Sequence, residues 1–366
     1  MLFNRSKKTI LPGARIRVLV VDDSVVIRRL VTHALSEDPA MEVVGSASNG
    51  SIALARIPQL NPDVITLDIE MPEMDGLEVL RQMRHQDARP RVIMFSTLTE
   101  RGAEVTLEAL ALGADDYVAK AANVGSLDRS MASLRAELIP KIKQFFSFPG
   151  ESLAAAQPVP SKARAAAPVA RFGQIPKIVA IGVSTGGPTA LGAIVPQFPS
   201  DFPLPILIVQ HMPPLFTRFL AERLQSATRL KVEEAAESAT VAPGKILIAP
   251  GDYHMEIASN GAGKVVRLVQ TPPENSCRPS VDVLFRSVSQ VYGGSAVSAV
   301  LTGMGQDGLR GVETLKAQGA YVIAQDEASS VVWGMPGAVV RAGLADCVVP
   351  LDRVVPEILR RAGCEY

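Results

Sequence analysis

Residues 177–187 read KIVAIGVSTGG: a lysine, four apolar residues, then a run of small residues that holds Ser184 between Gly182 and Gly186. A short apolar run closing on glycines reads as a buried strand followed by a tight turn, with a helix expected from about Thr189. That order sets Ser184 on the bend between strand and helix, where a G-x-S-x-G serine stands exposed. The alternation continues outward. PILIVQH (205–211) precedes the helical pattern TRFLAERLQ (217–225), and KILIAP (245–250), AVSAVLTGM (296–304) and AYVIAQD (320–326) read as further buried strands. Strands alternating with helices build a doubly wound, mainly parallel α/β sheet. MEIASNGAGKVVRLV (255–269) departs from the pattern, because two alternating runs around an Asn-Gly turn read as an antiparallel edge hairpin.

A second α/β pattern lies upstream. IRVLVV (16–21), DVITL (63–67) and RVIMF (91–95) alternate with helical patterns such as Ile27, Leu30, Val31 and Ala34, preceded by Ser24 as an N-cap. Between the two halves, residues 146–176 are rich in proline and alanine and cannot continue a helix through their prolines. The expected organisation is therefore an α/β domain over residues 15–138 with a doubly wound parallel sheet, a linker over 139–175, and a second α/β domain over 176–366. A length of 366 residues suits two domains.

Lysine plus arginine number 37 and aspartate plus glutamate 37, so the net charge of +0 supplies no general pull toward nucleic acid or acidic membranes. The basic N-terminal stretch MLFNRSKKTILPGARIR lacks an apolar signal core, and no run approaches the ~20 apolar residues of a membrane span. A cytoplasmic protein with no nucleic-acid partner and no membrane insertion is expected. Cys277, Cys347 and Cys364 form no C-x-x-C pair and read as structural thiols.

In the upstream domain Asp22 and Asp23 end one predicted strand and Asp68 another, so three carboxylates converge at one sheet edge. A hard divalent cation with oxygen ligands, Mg2+, resolves their repulsion and can hold a phosphoryl donor. Ser96 and Lys120 end two further strands and add a hydroxyl and an ammonium, suited to the oxygens of a phosphoryl group on Asp68. These residues, carried in VVDDS, TLDIEMPEMDG and GADDYVAK, resemble the two-component receiver family. The resemblance implies that Asp22, Asp23 and Asp68 bind Mg2+, that Asp68 accepts the phosphoryl group, and that Ser96 and Lys120 carry the switch. One departure is Ala121, which stands where that family usually places a proline after the lysine.

In the downstream domain the serine pattern alone leaves two readings, a nucleophile or a glycine-rich loop that cradles a phosphate. A nucleophilic serine needs a base. Of four histidines, His33 and His85 fall in upstream helices, His254 lies in or beside the hairpin, and His211 ends a strand at the edge that carries Ser184. Asp307, in LTGMGQDG, is favoured to orient the imidazole, with Asp326 and Asp252 as competitors. The glycines around Asp307 allow close backbone approach, and Met304 is a candidate backbone donor to an oxyanion. The order Ser, His, Asp differs from the Ser, Asp, His order of α/β-hydrolases, which argues against an ordinary lipase or esterase.

The segments IGVSTGGPTAL, VQHMPPLFTRFLAERL, APGDYHM, RPSVDVLF, LTGMGQDG and AQDEASSVVWGMPGAVVRAG are similar to those of the chemotaxis-type protein-glutamate methylesterase family, CheB. What this resemblance implies is phosphorylation-regulated hydrolysis of glutamate γ-methyl esters on methyl-accepting chemoreceptors, with deamidation of receptor glutamines in many members. It implies a histidine kinase of the CheA type as phosphodonor and no cofactor for ester hydrolysis. Position by position, Ser184 becomes the nucleophile, His211 the general base and acid, Asp307 the orienting acid, and Thr185 and the Met304 backbone neighbours of the oxyanion. A regulator whose output is binding, with GVSTGG as a phosphate loop, is the competing reading, and a DNA-binding output a weaker one.

Overall fold

The computed structural model describes residues 7–83, 89–120, 127–148, 174–261 and 263–364. Ala121, His85 and linker residues 149–173 lie outside the described residues. The chain divides into two compact units, one built on the upstream residues and the other on the downstream ones.

The upstream unit holds five parallel strands, β1 (Ile16–Val21), β2 (Met41–Ala47), β3 (Val64–Asp68), β4 (Arg91–Ser96) and β5 (Asp116–Ala119), in the order β2-β1-β3-β4-β5. Helices α1 (Val25–Ser36), α2 (Gly50–Leu60), α3 (Gly76–Met83), α4 (Glu100–Leu112) and α5 (Leu127–Lys143) connect or follow them. Ser24 caps α1 as its sequence suggests, its side chain accepting from the Ile27 amide. The central strands are buried on both faces apart from half-buried Arg17, as helices on both sides of a parallel sheet require.

The expected domain end at residue 138 falls inside helix α5. Helix α5 runs on to Lys143 with Pro140 inside it, and Phe146–Ser147 pairs in parallel with Lys8–Thr9. The physical reason is an apolar stripe at helical spacing: Leu138, Ile142 and Phe145 are all fully buried. Their burial outweighs the one hydrogen bond that a proline so near the helix end removes.

The downstream unit is a seven-stranded parallel sheet. Its strands are β6 (Ile178–Val183), β7 (Ile206–Gln210), β8 (Lys231–Glu234), β9 (Lys245–Ile248), β12 (Ala296–Val300), β13 (Tyr321–Gln325) and β14 (Cys347–Val349), in the order β8-β9-β7-β6-β12-β13-β14. Helices α6 (Gly187–Ile194), α7 (Phe216–Gln225), α8 (Val281–Tyr292), α9 (Leu309–Ala317), α10 (Met335–Arg341) and α11 (Leu351–Ala362) cover it. The antiparallel hairpin, β10 (His254–Ser259) with β11 (Lys264–Val269), is present where the sequence places it. It forms a two-stranded sheet of its own instead of extending the edge of the larger one. Its inward residues Met255, Ile257 and Val266 join the core that contains Leu284, Phe285 and Val288 of α8.

From β6 the chain winds to one side through β7 and later to the other through β12, so the strand order reverses between β6 and β12. A crevice outside the carboxyl ends of the strands is expected at such a point.

Candidate functional site

The strand register brings Ser184 and His211 together. Val183 of β6 is paired with Gln210 of β7, and each candidate is the next residue. The His211 amide donates to the Val183 carbonyl at 3.2 Å, and the Ser184 amide to the Thr302 carbonyl at 3.0 Å, which extends the sheet one step past β6 on both sides. The turn after Ser184 depends on Gly186, whose φ of +77° favours glycine and whose missing side chain would meet Val331 at 2.7 Å. On the other flank Gly303 lies against the serine: a methyl group there would stand 2.8 Å from Ser184 Cβ and 2.5 Å from Met335 Sδ. Among the described residues Ser184 Oγ makes no side-chain hydrogen bond.

The three candidate aspartates separate by their partners. Asp326 accepts from the Ser329 amide and hydroxyl, a local cap. Asp252 is held by Arg278 at 2.5 Å. Asp307 Oδ2 lies 2.8 Å from His211 Nε2. His254 is also removed from contention, since its Nδ1 accepts from the Ser280 amide at 3.1 Å and its Nε2 donates to the Pro272 carbonyl at 3.2 Å. Both of its ring nitrogens are committed inside the core.

Asp307 gathers six donors. Oδ2 receives His211 Nε2 and the Val281 amide; Oδ1 receives Asn275 Nδ2, the Ser280 hydroxyl and the Asp282 and Gly308 amides. Three of those groups come from the N-cap and first turn of α8, whose dipole also favours a negative charge. Burial works to raise the Asp307 pKa, but the hydrogen bond and charge of His211, the Val281 amide and the Ser280 hydroxyl prevail and hold it well below the usual carboxylate range. Burial works to lower the His211 pKa, but the Asp307 hydrogen bond and then the Cys277 sulfur outweigh it, so the imidazole is held above its ordinary value.

Cys277 and Asn275 are the parts of this site that sequence reading missed. Cys277 was expected to be a packing thiol; its Sγ is 3.5 Å from His211 Nδ1. Asn275 bridges Asp307 to Asp282 Oδ2 at 2.9 Å. Neither belongs to a periodic element, and the only local signal was an Asn-Ser pair before RPSVD, which reads as a turn. Thr185 is buried, its carbonyl accepting from Thr302 Oγ1 at 2.9 Å. Met304 follows Gly303, with its side chain 41% exposed. Trp333 packs nearby, its indole N–H donating to the Gln325 carbonyl.

In the upstream unit Asp22, Asp23 and Asp68 offer oxygens all within 4.8 Å of one another. Asp22 and Asp68 are 2% exposed. Lys120 Nζ lies 2.7 Å from Asp68 Oδ2 and 3.0 Å from Asp22 Oδ2. Burial and the Asp22 charge push the Asp68 carboxyl up to about 6, against the pull of Lys120. An all-oxygen set with one carboxylate made reluctant to ionise by its neighbour suits a hard divalent cation. Ser96 borders the same cavity as Asp68 and Lys120, and its hydroxyl turns toward α4, donating to the Gly102 carbonyl at 3.1 Å and accepting from Thr106 at 2.7 Å.

An acidic receiver-type site on one α/β unit and a serine next to a histidine–aspartate pair on another define a response regulator joined to an α/β hydrolytic domain. Residues 18–132 match the response regulator receiver domain and residues 179–358 match the CheB methylesterase model. The chain is 51% identical over 353 residues to a protein-glutamate methylesterase/protein-glutamine glutaminase of Trichodesmium erythraeum, across 95% of this chain and 99% of that one. It is 52% identical over 358 residues to a protein of the same description from Nocardioides sp., across 96% of each. The crystal structure of the Thermotoga maritima CheB methylesterase catalytic domain is similar at a TM-score of 0.50 and 41% identity, covering 50% of this chain and 98% of that one. This chain belongs to the CheB methylesterase family.

Proposed function

We propose that the chain hydrolyses glutamate γ-methyl esters on methyl-accepting chemoreceptors in the cytoplasm, that it also deamidates receptor glutamines, and that phosphorylation of Asp68 by a histidine kinase of the CheA type controls the rate. The names of the relatives suggest the substrate. The observation that carries the chemistry is the 2.8 Å bond between His211 and Asp307 at the strand end next to Ser184.

Ser184 is the nucleophile. With Nε2 donating to Asp307, the lone pair of the neutral imidazole is on Nδ1, which takes the Oγ proton as Oγ bonds to the ester carbonyl carbon. The tetrahedral intermediate collapses, the bond to the methoxy oxygen breaks, and the imidazolium returns the proton so that methanol leaves. Water then attacks the acyl-enzyme by the same route, giving glutamate and free Ser184. Asp307 stabilises the imidazolium that forms in each step. Thr185 and the Met304 amide are the oxyanion donors, and one such donor is worth about 2.7–4 kcal/mol. Ester hydrolysis requires no cofactor.

On the receiver, Asp22, Asp23 and Asp68 would hold Mg2+, which would supply charge neutralisation for the carboxylates and for an arriving phosphoryl group. Lys120 holds the phosphoryl oxygens on Asp68, and Ser96 joins them by giving up the Gly102 carbonyl.

Methanol release from methylated receptor fragments, with and without a small phosphodonor, tests this reading. Ser184→Ala and His211→Ala are expected to abolish release, and Asp68→Ala to abolish only the response to phosphodonor. Release at the wild-type rate from Ser184→Ala would overturn the reading.

A further inference from the structure

The turn of residues 274–277 reaches both members of the histidine–aspartate pair. Asn275 and Ser276 have φ of +52° and +63°. The Glu274 and Cys277 backbones exchange reciprocal hydrogen bonds, Glu274 N to Cys277 O at 3.1 Å and Cys277 N to Glu274 O at 2.9 Å. Two left-handed residues between reciprocally bonded neighbours make a tight two-residue turn of the mirror-image type. Its first corner sends Asn275 Nδ2 to Asp307 Oδ1 at 2.8 Å, and its far end sets Cys277 Sγ 3.5 Å from His211 Nδ1. The turn is tied to α8, because Arg286 grips both oxygens of Glu274 at 2.7 and 2.6 Å. A bidentate pair of this kind fixes orientation as well as distance.

The geometry points to Cys277 as a positioning residue of the esterase, which holds His211 Nδ1 in the resting enzyme and yields that nitrogen to Ser184 when an ester arrives. This rests on the reading of His211 as the base. Nε2 is committed to Asp307, so Nδ1 alone can take the serine proton, and the only side chain of the described residues bonded to it is Cys277. A thiol suits the task. Its bond to Nδ1 is weak whichever partner donates, strong enough to keep the ring from swinging about the Asp307 bond and weak enough to be displaced. Asn275 completes the arrangement at the other end of the pair, fixing the carboxylate against Asp282 while the thiol fixes the ring.

The test uses the full chain, labelled with 15N histidine and assayed for methanol release. Cys277→Ala is expected to lower kcat about tenfold with KM unchanged, because the base loses one of its two supports. It should move the His211 Nδ1 resonance, assigned by its absence from His211→Gln, while the Nε2–H signal to Asp307 stays in place. Cys277→Ser restores a hydrogen-bonding partner at that nitrogen and should recover most of the lost rate. A Cys277→Ala enzyme with wild-type kcat and an unmoved Nδ1 resonance overturns the proposal, as does a Cys277→Ser enzyme no faster than the alanine variant. Activity retained by His211→Gln instead refutes the assignment of the base itself, so the two failures are told apart.

Discussion

His211 Nε2 stands 2.8 Å from Asp307 Oδ2, and Asp307 is held in turn by five further donors, among them the first two amides of α8. The carboxylate is thus fixed from the helix side before it touches the histidine. Asp307→Asn keeps the shape but turns an amide NH2 toward groups that all donate. The ring loses its charge partner and is free to adopt the wrong tautomer. The expected result is a fall in kcat of about 10³–10⁴-fold with KM little changed, measured by methanol release. A drop in stability of roughly 3–5 kcal/mol should accompany it, read from denaturant unfolding.

The His211 pKa predicts a pH dependence with a definite sign. Its imidazole is held above the ordinary 6.5 against the effect of burial, chiefly by Asp307. The folded state therefore keeps a proton that the unfolded state releases. The stabilisation is fully present below pH 6.5 and is lost as pH rises through the folded value. The same proton must leave before His211 can act as a base, so the acid limb of kcat/KM should lie above pH 6.5. A limb at or below that value would contradict the assignment.

Asp68 titrates with the same sign at lower pH. Burial and the neighbouring Asp22 raise its carboxyl from 3.8 to about 6, so in the metal-free protein the folded state binds the proton more tightly than the unfolded one. Receiver stability should then fall as pH rises from 3.8 to 6, by roughly 2–3 kcal/mol. Mg2+ should return it by lowering the pKa. Carboxyl-carbon NMR of Asp68 with and without Mg2+ measures the shift directly, and an unchanged titration would remove Asp68 from the metal site.

Much of this was legible in the sequence because central parallel strands are buried on both faces. IVAIGV, ILIVQ and AVSAV read as continuous apolar runs, and each delivers a candidate residue just beyond its end. The edge strands KVEE and CVV were not legible, being three or four residues long and partly exposed. The choice of Asp307 over Asp326 leaned on the family resemblance, since both follow strands and differ in what reaches them. Asn275 and Cys277 lay furthest from view. Their positions depend on two left-handed residues and on Arg286, which anchors Glu274 from twelve residues on, and no periodicity encodes either.

The extended end of α5 can be checked by substitution. Phe145 is fully buried beyond the point where the sequence suggested a linker, and Arg91 lies 5.0 Å from the centre of its ring. Phe145→Ala should destabilise the receiver by about 3–5 kcal/mol. In the intact chain this should appear as a receiver transition at lower temperature while methanol release by the other unit persists. A linker residue would leave both unchanged.

Gly303 tests how closely the loop after β12 must approach Ser184. A methyl group at this position would sit 2.5 Å from Met335 Sδ and 2.8 Å from Ser184 Cβ, distances that real side chains do not tolerate. The thioether can move, but the serine is fixed by the hydrogen bond from its amide to the Thr302 carbonyl, so the loop has to retreat. That retreat carries Met304 and its amide away from the carbonyl that Ser184 is proposed to attack. Gly303→Ala is therefore expected to lower kcat by about 10²-fold, with a smaller change in KM and a stability loss of roughly 1–3 kcal/mol. A variant destabilised to that extent but with wild-type kcat would show that the loop supports the fold without supplying the oxyanion donor.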